Sequence, residues 1–258
     1  QAIAFDKTGT LTKGKPEVTD VLVRENITED EFLYIVGSIE SYSNHPLAQA
    51  ITAYSRKNSP KPLIRPDHLD DKAGWGVKGN LHDKEYLVGK ADYVGTDTAK
   101  LFGNGIAESY TNEGKTVVYV KDEAGIVGIL ALKDVIRKET VEAIKQLRTL
   151  EVQTIMITGD SERTAMAIAN QAAIGKFVAE CLPETKVETV KNLKEEYNMV
   201  GMVGDGINDA PALATANVGI AMGEGTDVAL ETADVVLMKN DLVKIAEAIK
   251  LSKRMNKI

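Results

Sequence analysis

The 258-residue sequence is poor in cysteine, in aromatic side chains and in long apolar runs. Its one cysteine, Cys181, excludes an internal disulfide and any metal site built from several cysteines. No segment approaches the ~18–20 apolar residues that cross a bilayer, and no signal peptide is visible. A formal net charge of −7 argues against the basic surface that nucleic-acid binding needs. We therefore expect a globular protein without nucleic acid as a partner.

The length allows one large domain or two modest ones, each with its own core. The composition, 43% hydrophobic and 27% charged, is ordinary for a globular protein. Both ends look cut, because the chain opens on the strand-like run 3–5 and stops inside a helical pattern over 251–258. We expect a piece of a longer protein, and we expect the piece itself to be soluble and monomeric.

From about residue 130 onward, apolar runs of strand length alternate with helix patterns. Apolar residues recur at helical spacing over 141–150, and Ser161 is a candidate N-cap for a helix over 161–173. The strand-like runs lie at 3–5, 154–157, 178–181, 200–203, 218–222 and 235–238. This alternation predicts a parallel α/β sheet, and the apolar strands predict a sheet covered on both faces.

The middle of the chain, from about Pro16 to Val127, has a different texture. It holds five of the seven prolines and all three histidines, with short strand-like runs separated by Gly-rich turns. We interpret it as an α+β domain inserted into the α/β domain, with crossings near 14–16 and 131–134. The predicted domains are therefore 1–15 with 130–258, and 16–129.

Three aspartates follow predicted strands: Asp6, Asp160 and Asp205. In open parallel sheets, ligands bind outside the carboxyl ends of the strands, so we expect the three carboxylates to meet at one edge. Any one of them could be a turn former or a helix N-cap. Three such residues, each with polar neighbours, favour a functional site.

The segment Asp6-Lys7-Thr8-Gly9-Thr10 combines a strand-end carboxylate with a turn that offers N–H groups and hydroxyls. Such a carboxylate can attack a phosphoryl group and hold it as an aspartyl phosphate, while the turn binds phosphate oxygens. Because the attack brings negative groups together, it needs Mg²⁺ and a nearby cation. Asp205 is the candidate second carboxylate for Mg²⁺, and Lys186 is the candidate cation.

Further candidates lie beside these residues. Thr158 offers a hydroxyl and Gly159 a backbone N–H, while Asn208 and Asp209 follow Asp205 closely enough to share its site.

The segment 6–12 resembles the phosphorylation signature of P-type ATPases, and 158–160 and 204–211 resemble the two later motifs of that family in the same order. The resemblance covers essentially the whole chain. It implies a haloacid-dehalogenase-like Rossmannoid parallel sheet, interrupted by an α+β nucleotide-binding domain with an antiparallel sheet. It also implies ATP and Mg²⁺ as cofactors, with the metal at Asp6, Thr8 and Asp205. The catalytic residues that it implies are Asp6, Lys7, Thr8, Thr158, Gly159, Asp160, Lys186, Asn208 and Asp209.

In the inserted domain, the segment 43–48 resembles the Ser-x-His-Pro signature of heavy-metal P-type ATPases. The resemblance implies that Glu40 and His45 lie beside adenine, and that Gly74 and Gly76 let the backbone approach the nucleotide. The stretch 223–234 looks more like the pumps of divalent metals (zinc, cadmium, cobalt, iron) than like copper pumps.

Thr8 stands where phosphatases of the same superfamily carry a second aspartate that acts as acid and base. We therefore expect a phosphoaspartate to persist and the isolated piece to turn over slowly. The resemblance implies transmembrane and actuator domains of the same polypeptide as partners, at the cytoplasmic face of a membrane. The transported metal ion would not bind to this piece.

Two alternatives stay open from the residues alone. One is a freestanding phosphatase of the same superfamily, against which Thr8 argues. The other is a non-catalytic nucleotide-binding module, against which the intact Asp6, Lys186 and Asp205 argue.

Overall fold

The computed structural model describes residues 1–255, which form two units. One unit is discontinuous and consists of Gln1–Gly14 together with the chain from Val135 onward. The other, Lys15–Asp134, is inserted between these two segments. Across the described residues, no helix combines the length and the apolar character that a membrane span requires.

The strands are β1 (Ala2–Asp6), β2 (Glu17–Val23), β3 (His68–Lys72), β4 (Gly76–Leu81), β5 (Lys84–Gly89), β6 (Thr116–Asp122), β7 (Gly125–Lys133), β8 (Gln153–Ile157), β9 (Lys176–Val178), β10 (Val200–Gly204), β11 (Val218–Met222) and β12 (Val235–Leu237). The helices are α1 (Glu29–Glu40), α2 (Pro46–Asn58), α3 (Ala91–Val94), α4 (Thr96–Leu101), α5 (Ile106–Asn112), α6 (Thr140–Thr149), α7 (Glu162–Gln171), α8 (Pro183–Glu196), α9 (Ala210–Thr215), α10 (Asp227–Thr232) and α11 (Val243–Met255).

The discontinuous unit is built on a parallel sheet with the strand order β12-β11-β10-β1-β8-β9. Strand β1 is central and wholly buried, and its alternate side chains enter two different cores. Ile3 and Phe5 pack with α6, α7 and α11, whereas Ala2 and Ala4 pack with α8, α9 and α10. The predicted parallel sheet with two covered faces is therefore confirmed.

The strands and the helix N-cap predicted for the parallel sheet agree with the structure, except for one strand. Ser161 caps α7, because its hydroxyl accepts the N–H of Thr164. The strand predicted at 178–181 is wrong, since β9 ends at Val178. The N–H groups of Glu180 and Cys181 instead donate to the carbonyls of Asp160 and Thr158, so this segment supports the loop after β8.

The inserted unit is built on an antiparallel sheet with the strand order β2-β7-β6-β5-β4-β3. Helices α1 and α2 cover one face, and α3, α4 and α5 cover the other. Strand β7 pairs with β2 as far as Lys133. The second crossing therefore comes after Asp134, at the end of the predicted crossing 131–134. The domain limit predicted at residue 129 lies five residues too early, because it would cut through a paired strand.

Two glycines on neighbouring strands of the parallel sheet give a matched test of its packing. A Cβ at Gly219 would lie 2.6 Å from the carbonyl oxygen of Leu213, whereas a Cβ at Gly201 would make ordinary contact at 3.4 Å with Ile3. We expect Gly219→Ala to lower the free energy of unfolding by roughly 1–3 kcal/mol, because α9 must move to make room. The control Gly201→Ala should change it by less than about 1 kcal/mol. Urea unfolding followed by far-UV circular dichroism checks both, and equal effects would contradict this packing of α9 against β11.

Candidate active site

The carboxyl ends of three adjacent strands form the candidate site. Asp6 is the last residue of β1, Thr158 follows β8, and Asp205 follows β10. Because β8, β1 and β10 are parallel neighbours, their ends lie at one edge of the sheet. Asp6 is 7% exposed and Thr158 is 3% exposed, so the site is largely withdrawn from solvent.

Lys186 joins two carboxylates of the site. It lies in the first turn of α8, which begins with Pro183, a residue suited to the first helical position. Its Nζ lies 2.8 Å from Oδ1 of Asp6 and 2.8 Å from Oδ1 of Asp209. The other oxygen of Asp209, Oδ2, accepts the backbone N–H groups of Asp205 and Gly206. Asp209 therefore connects the ammonium to the loop that carries Asp205.

The carboxyl groups of the site have raised pKa values. Burial raises the pKa of Asp6 to about 7; the Asp209 carboxylate adds to the shift, and Lys186 opposes it. Burial also raises the pKa of Asp205 to about 6, again with a contribution from Asp209. Burial alone would lower the pKa of Lys186, but the Asp6 and Asp209 carboxylates outweigh it and the net shift is upward. Three carboxylates thus face one ammonium, which leaves an excess of negative charge.

Asp205 lies directly against the turn that follows Asp6. Gly9 has φ +76°, and a Cβ at this position would lie 1.8 Å from Oδ2 of Asp205. A side chain here would both strain the backbone and displace the carboxylate. Glycine therefore lets the loop 7–11 close onto Asp205.

A hard divalent cation fits the carboxylates of this edge. One oxygen from each of Asp6, Asp205 and Asp209 lies within 4.8 Å of the others. Both oxygens of Asp209 already accept hydrogen bonds, so Asp6 and Asp205 are the better ligands. Oxygen donors and uncompensated negative charge suit Mg²⁺. Thr8 lies two residues after Asp6 in the same turn, with an extended backbone.

Lys7 and Asp160 pair with each other in the same region. Nζ of Lys7 lies 2.5 Å from Oδ2 of Asp160, and both side chains are at most 10% exposed. The Thr158 hydroxyl accepts the N–H of Asp160, which orders the turn that contains Gly159. Two of the predicted motifs are thus joined by an ion pair.

The last two predicted residues of this group differ in exposure. Asp209 is 2% exposed and belongs to the charge network, as the spacing predicted. Asn208 is exposed and lies outside the ion pairs of the described site.

Sequence reasoning missed Arg137. Its Nε donates to the carbonyl of Thr10 at 3.0 Å and its Nη2 to the carbonyl of Gly9 at 3.0 Å. Its charge also lowers the pKa of Asp205, against the larger raising effect of burial. A basic residue just after the second crossing was the available signal, but its partners are backbone carbonyls that no motif shows.

In the inserted unit, Glu40 is the last residue of α1 and is 8% exposed. Burial raises the pKa of its carboxyl to about 7, and the nearby Asp71 adds to the shift. Among the described residues, no donor forms a hydrogen bond to this carboxyl. A buried carboxyl without a donor is unfavourable for folding and is typical of a functional position.

His45 caps α2. Its Nδ1 accepts the N–H of Leu47 at 3.2 Å, so the neutral imidazole carries its proton on Nε2. The ring itself is exposed. The cap thus fixes the ring orientation at the surface of the inserted unit.

Gly74 lies in the turn before β4, and Gly76 is the first residue of that strand. Gly74 has φ +79°, and Gly76 has φ +156° with a hypothetical Cβ 2.3 Å from the carbonyl oxygen of Val88. Gly76 is therefore required by the packing of β4 against β5. Gly74 is exposed and leaves the surface of this turn without a side chain.

Comparisons with known proteins identify the family of the chain. A model of the haloacid dehalogenase-like hydrolases matches residues 1–217. The zinc-transporting ATPase of Bacillus subtilis (strain 168) is 50% identical over 260 residues, which cover 100% of this chain and 40% of that protein. The copper-exporting P-type ATPase B of Archaeoglobus fulgidus is 41% identical over 254 residues, which cover 98% of this chain and 36% of that protein. The chain spans less than half the length of these curated relatives.

A solved structure extends the similarity to the fold. It is the catalytic domain of the CPx-ATPase CopB-B, studied for conformational changes upon nucleotide binding. The similarity has a TM-score of 0.78 at 30% identity, and covers 96% of this chain and 88% of that one. The chain therefore belongs to the haloacid dehalogenase-like hydrolases and, within them, to the heavy-metal P-type ATPases, which act through an aspartyl-phosphate intermediate.

Proposed function

We propose that this chain binds ATP in its inserted unit and transfers the γ-phosphoryl group to Asp6, as the catalytic part of a heavy-metal pump. The observation that carries the proposal is the position of Asp6, a buried strand-end carboxylate 2.8 Å from the Lys186 ammonium and next to Asp205. A carboxylate in this setting is suited to nucleophilic attack on phosphorus.

In the proposed step, a carboxylate oxygen of Asp6 forms a bond to the γ-phosphorus while the bond to the β,γ-bridging oxygen breaks, and ADP leaves. Asp6 and Asp205 would hold Mg²⁺, which supplies positive charge to the phosphoryl oxygens. Lys186 reduces the repulsion between Asp6 and the incoming phosphate. The Thr158 hydroxyl and the Gly159 N–H are donors for phosphoryl oxygens, and the Lys7–Asp160 pair holds their loop beside β1.

The nucleotide would bind at the end of α1 and the start of α2. Glu40 is buried there without a hydrogen-bond donor among the described residues, and a nucleotide base offers both donors and acceptors. His45 lies at the start of α2, and its neutral tautomer carries an N–H at Nε2 that can donate a hydrogen bond. Gly74, exposed at φ +79°, gives a turn without a side chain. The nucleotide binding named for the CopB-B catalytic domain supports this assignment.

The partners of the chain would be the remaining domains of the same polypeptide. The zinc-transporting relative is 2.5 times as long, since the match covers 100% of this chain and 40% of that protein. Transmembrane and actuator domains would account for the difference, with this chain at the cytoplasmic face of the membrane.

A divalent cation, with zinc first, is the proposed cargo. The zinc-transporting ATPase is 50% identical, and a relative from Alkalihalophilus pseudofirmus, named a probable cadmium-transporting ATPase, is 41% identical. Copper relatives match at similar levels, so the proposal rests on the higher identity and on the segment 223–234.

Phosphorylation of Asp6 is tested with γ-labelled ATP and Mg²⁺, followed by an acid quench. We expect one acid-stable, hydroxylamine-sensitive label per chain, and none in Asp6→Asn, because an amide is not a competent nucleophile. The variant keeps the shape of the side chain, so it should still bind ATP in a calorimetric titration.

The matched control is Asp83→Asn, at an exposed turn residue with φ +63° that asparagine tolerates. It should label like the unmodified chain. A label that persists in Asp6→Asn would contradict the assignment of the nucleophile. Rapid release of phosphate in many turnovers would instead favour a phosphatase of the same fold.

Glu40→Gln should affect stability and binding in opposite directions. The carboxyl pKa rises from 4.5 to about 7 on folding, so the folded state binds more protons and stability falls as pH rises from 4.5 to 7. Glutamine does not ionise, so the variant lacks this pH dependence. The difference in the free energy of unfolding between Glu40→Gln and the unmodified chain should therefore be roughly 2–3 kcal/mol more favourable to the variant at pH 8 than at pH 5. ATP affinity should fall roughly three- to tenfold as a polar contact is lost.

The one tryptophan, Trp75, lies in the inserted unit, and its fluorescence in urea reports on that unit. Glu123→Gln, at an exposed residue of the same unit, is the matched control. It should change neither the free energy of unfolding nor the affinity for ATP. Unchanged ATP affinity in Glu40→Gln at any pH would remove Glu40 from the proposed nucleotide site.

The cargo is tested on the full-length polypeptide in membrane vesicles. We expect Zn²⁺ or Cd²⁺ to stimulate ATP hydrolysis and ATP-driven uptake, because the pump couples phosphorylation to cation binding in its missing membrane part. Asp6→Asn in the full-length protein should abolish both. Stimulation by Cu⁺ with no response to divalent metals would reject the proposed cargo.

A further inference from the structure

Three backbone carbonyls of the loop after Asp6 accept hydrogen bonds from outside the loop. Residues 7–11 form a wide helical turn in which Thr8 and Gly9 have non-helical dihedral angles. Within the turn, the Thr12 N–H and hydroxyl donate to the carbonyl of Lys7. The carbonyls of Gly9, Thr10 and Leu11 accept from a different part of the chain.

One four-residue segment supplies the donors to these three carbonyls. The Arg137 guanidinium binds Gly9 and Thr10, and the Arg137 N–H donates to Leu11 at 2.9 Å. The Thr140 hydroxyl, which is fully buried, donates to Leu11 at 2.8 Å. The two segments continue side by side, through a bridge between Thr12 and Ile136 and a hydrogen bond from the Lys13 N–H to the Val135 carbonyl.

The two hydrogen bonds from the Arg137 guanidinium orient whole peptide planes and not only the two carbonyl oxygens. A trans peptide is planar and its N–H points opposite to its C=O, so holding the carbonyls of Gly9 and Thr10 also orients the next two N–H groups. The same peptide planes place Gly9 against Asp205, where there is no room for a Cβ. A small rotation of the loop would therefore move backbone donors and the Asp205 contact together.

The guanidinium suits this task because it is planar. It presents donors in a fixed fork, which matches two successive carbonyls, whereas a lysine ammonium is a point charge on a flexible stem. Arg137 is only partly buried, and its charge is felt at Asp205 without a direct ion pair in the described structure. The planar shape of the Arg137 guanidinium and its positive charge can therefore be tested separately.

We infer that Arg137 is a positioning residue for phosphoryl transfer: its two-pronged contact with Gly9 and Thr10 holds the loop 7–11 in the conformation that sets Asp6 and Gly9 beside Asp205. The inference rests on the proposed function, since it assumes that Asp6 is the phosphate acceptor. Arg137 acts through the loop and itself need not touch the substrate. Its contribution depends on the fork, so positive charge alone does not replace it.

Arg137→Lys tests the inference, because it keeps the charge and removes the fork. We expect the rate of acyl-phosphate formation at saturating ATP and Mg²⁺ to fall roughly ten- to hundredfold, as expected for a misplaced reacting group. The affinity for ATP without Mg²⁺, measured by calorimetry, should stay unchanged. In amide hydrogen exchange of the unliganded chain, peptides covering 7–13 should exchange faster, whereas those covering β8 and β10 should not.

Arg254→Lys is the matched control, at an exposed arginine near the end of α11, and should behave like the unmodified chain in every assay. Normal labelling by Arg137→Lys would overturn the inference, since charge alone would then suffice. Slow labelling with unchanged exchange over 7–13 would also overturn it, because the loop would not be what Arg137 holds. Faster exchange spread equally over β8 and β10 would assign Arg137 to general stability and would overturn it as well.

The proposed function fails by a different result. If the unmodified chain binds ATP and Mg²⁺ but never labels, Asp6 is not a phosphate acceptor in this protein. If the unmodified chain labels and Arg137→Lys labels equally fast, only the role of Arg137 is rejected.

Discussion

The Lys186 ammonium lies 2.8 Å from a carboxylate oxygen of Asp6 and 2.8 Å from one of Asp209. Two carboxylates withdrawn from water repel each other, and a shared cation reduces that repulsion. Through Asp209, the same cation is connected to the N–H groups of the loop that carries Asp205. The end of β1, the start of α8 and the loop after β10 are thus held by one charge. Burial, with a contribution from the Asp209 carboxylate, nevertheless raises the pKa values of Asp6 and Asp205 against the lowering effect of Lys186.

The inserted unit also contains a buried carboxyl, that of Glu40, but without a cation beside it in the described structure. Burial raises the pKa of Glu40 to about 7, and Asp71 adds to the effect, but no cation pairs with Glu40 in the described structure. A carboxyl in such a position lowers stability at neutral pH, which is a pattern typical of functional positions and agrees with the role proposed for Glu40. Each unit therefore contains a buried carboxyl whose pKa is raised by burial, Asp6 in one and Glu40 in the other.

The sequence was sufficient for the parallel sheet and for the residues at its edge. Apolar runs marked β1, β8, β10 and β11 within a residue or two. Parallel strands bring their carboxyl ends together, so the sequence predicted that Asp6 and Asp205 meet at one edge, whereas the third carboxylate grouped with them is Asp209 and not the predicted Asp160. The Lys7–Asp160 pair was not predicted, because an ion pair between residues 153 positions apart leaves no local pattern.

Other features depended on partners that the sequence does not encode locally. Arg137 binds backbone carbonyls, which every residue has, so no side-chain motif indicates its role. The sequence predicted the second crossing near 131–134, but the domain limit drawn at residue 129 came too early, because β7 stays paired with β2 to Lys133. Contacts between residues distant in the sequence determine both the role of Arg137 and the end of β7.

The position of Thr8 raises the question of which group could act as a base toward a phosphorylated Asp6. Asp209 has one oxygen on Lys186 and the other on two backbone N–H groups, and Asp160 is paired with Lys7. Asp205 is the candidate ligand of Mg²⁺, and a metal-bound carboxylate is a poor base. Each of these carboxylates near Asp6 is thus already engaged or assigned, and Thr8 adds none. Among the described carboxylates named here, none is then left to act as a general base toward a water molecule beside Asp6, which agrees with the expectation that a phosphorylated Asp6 persists in the isolated chain.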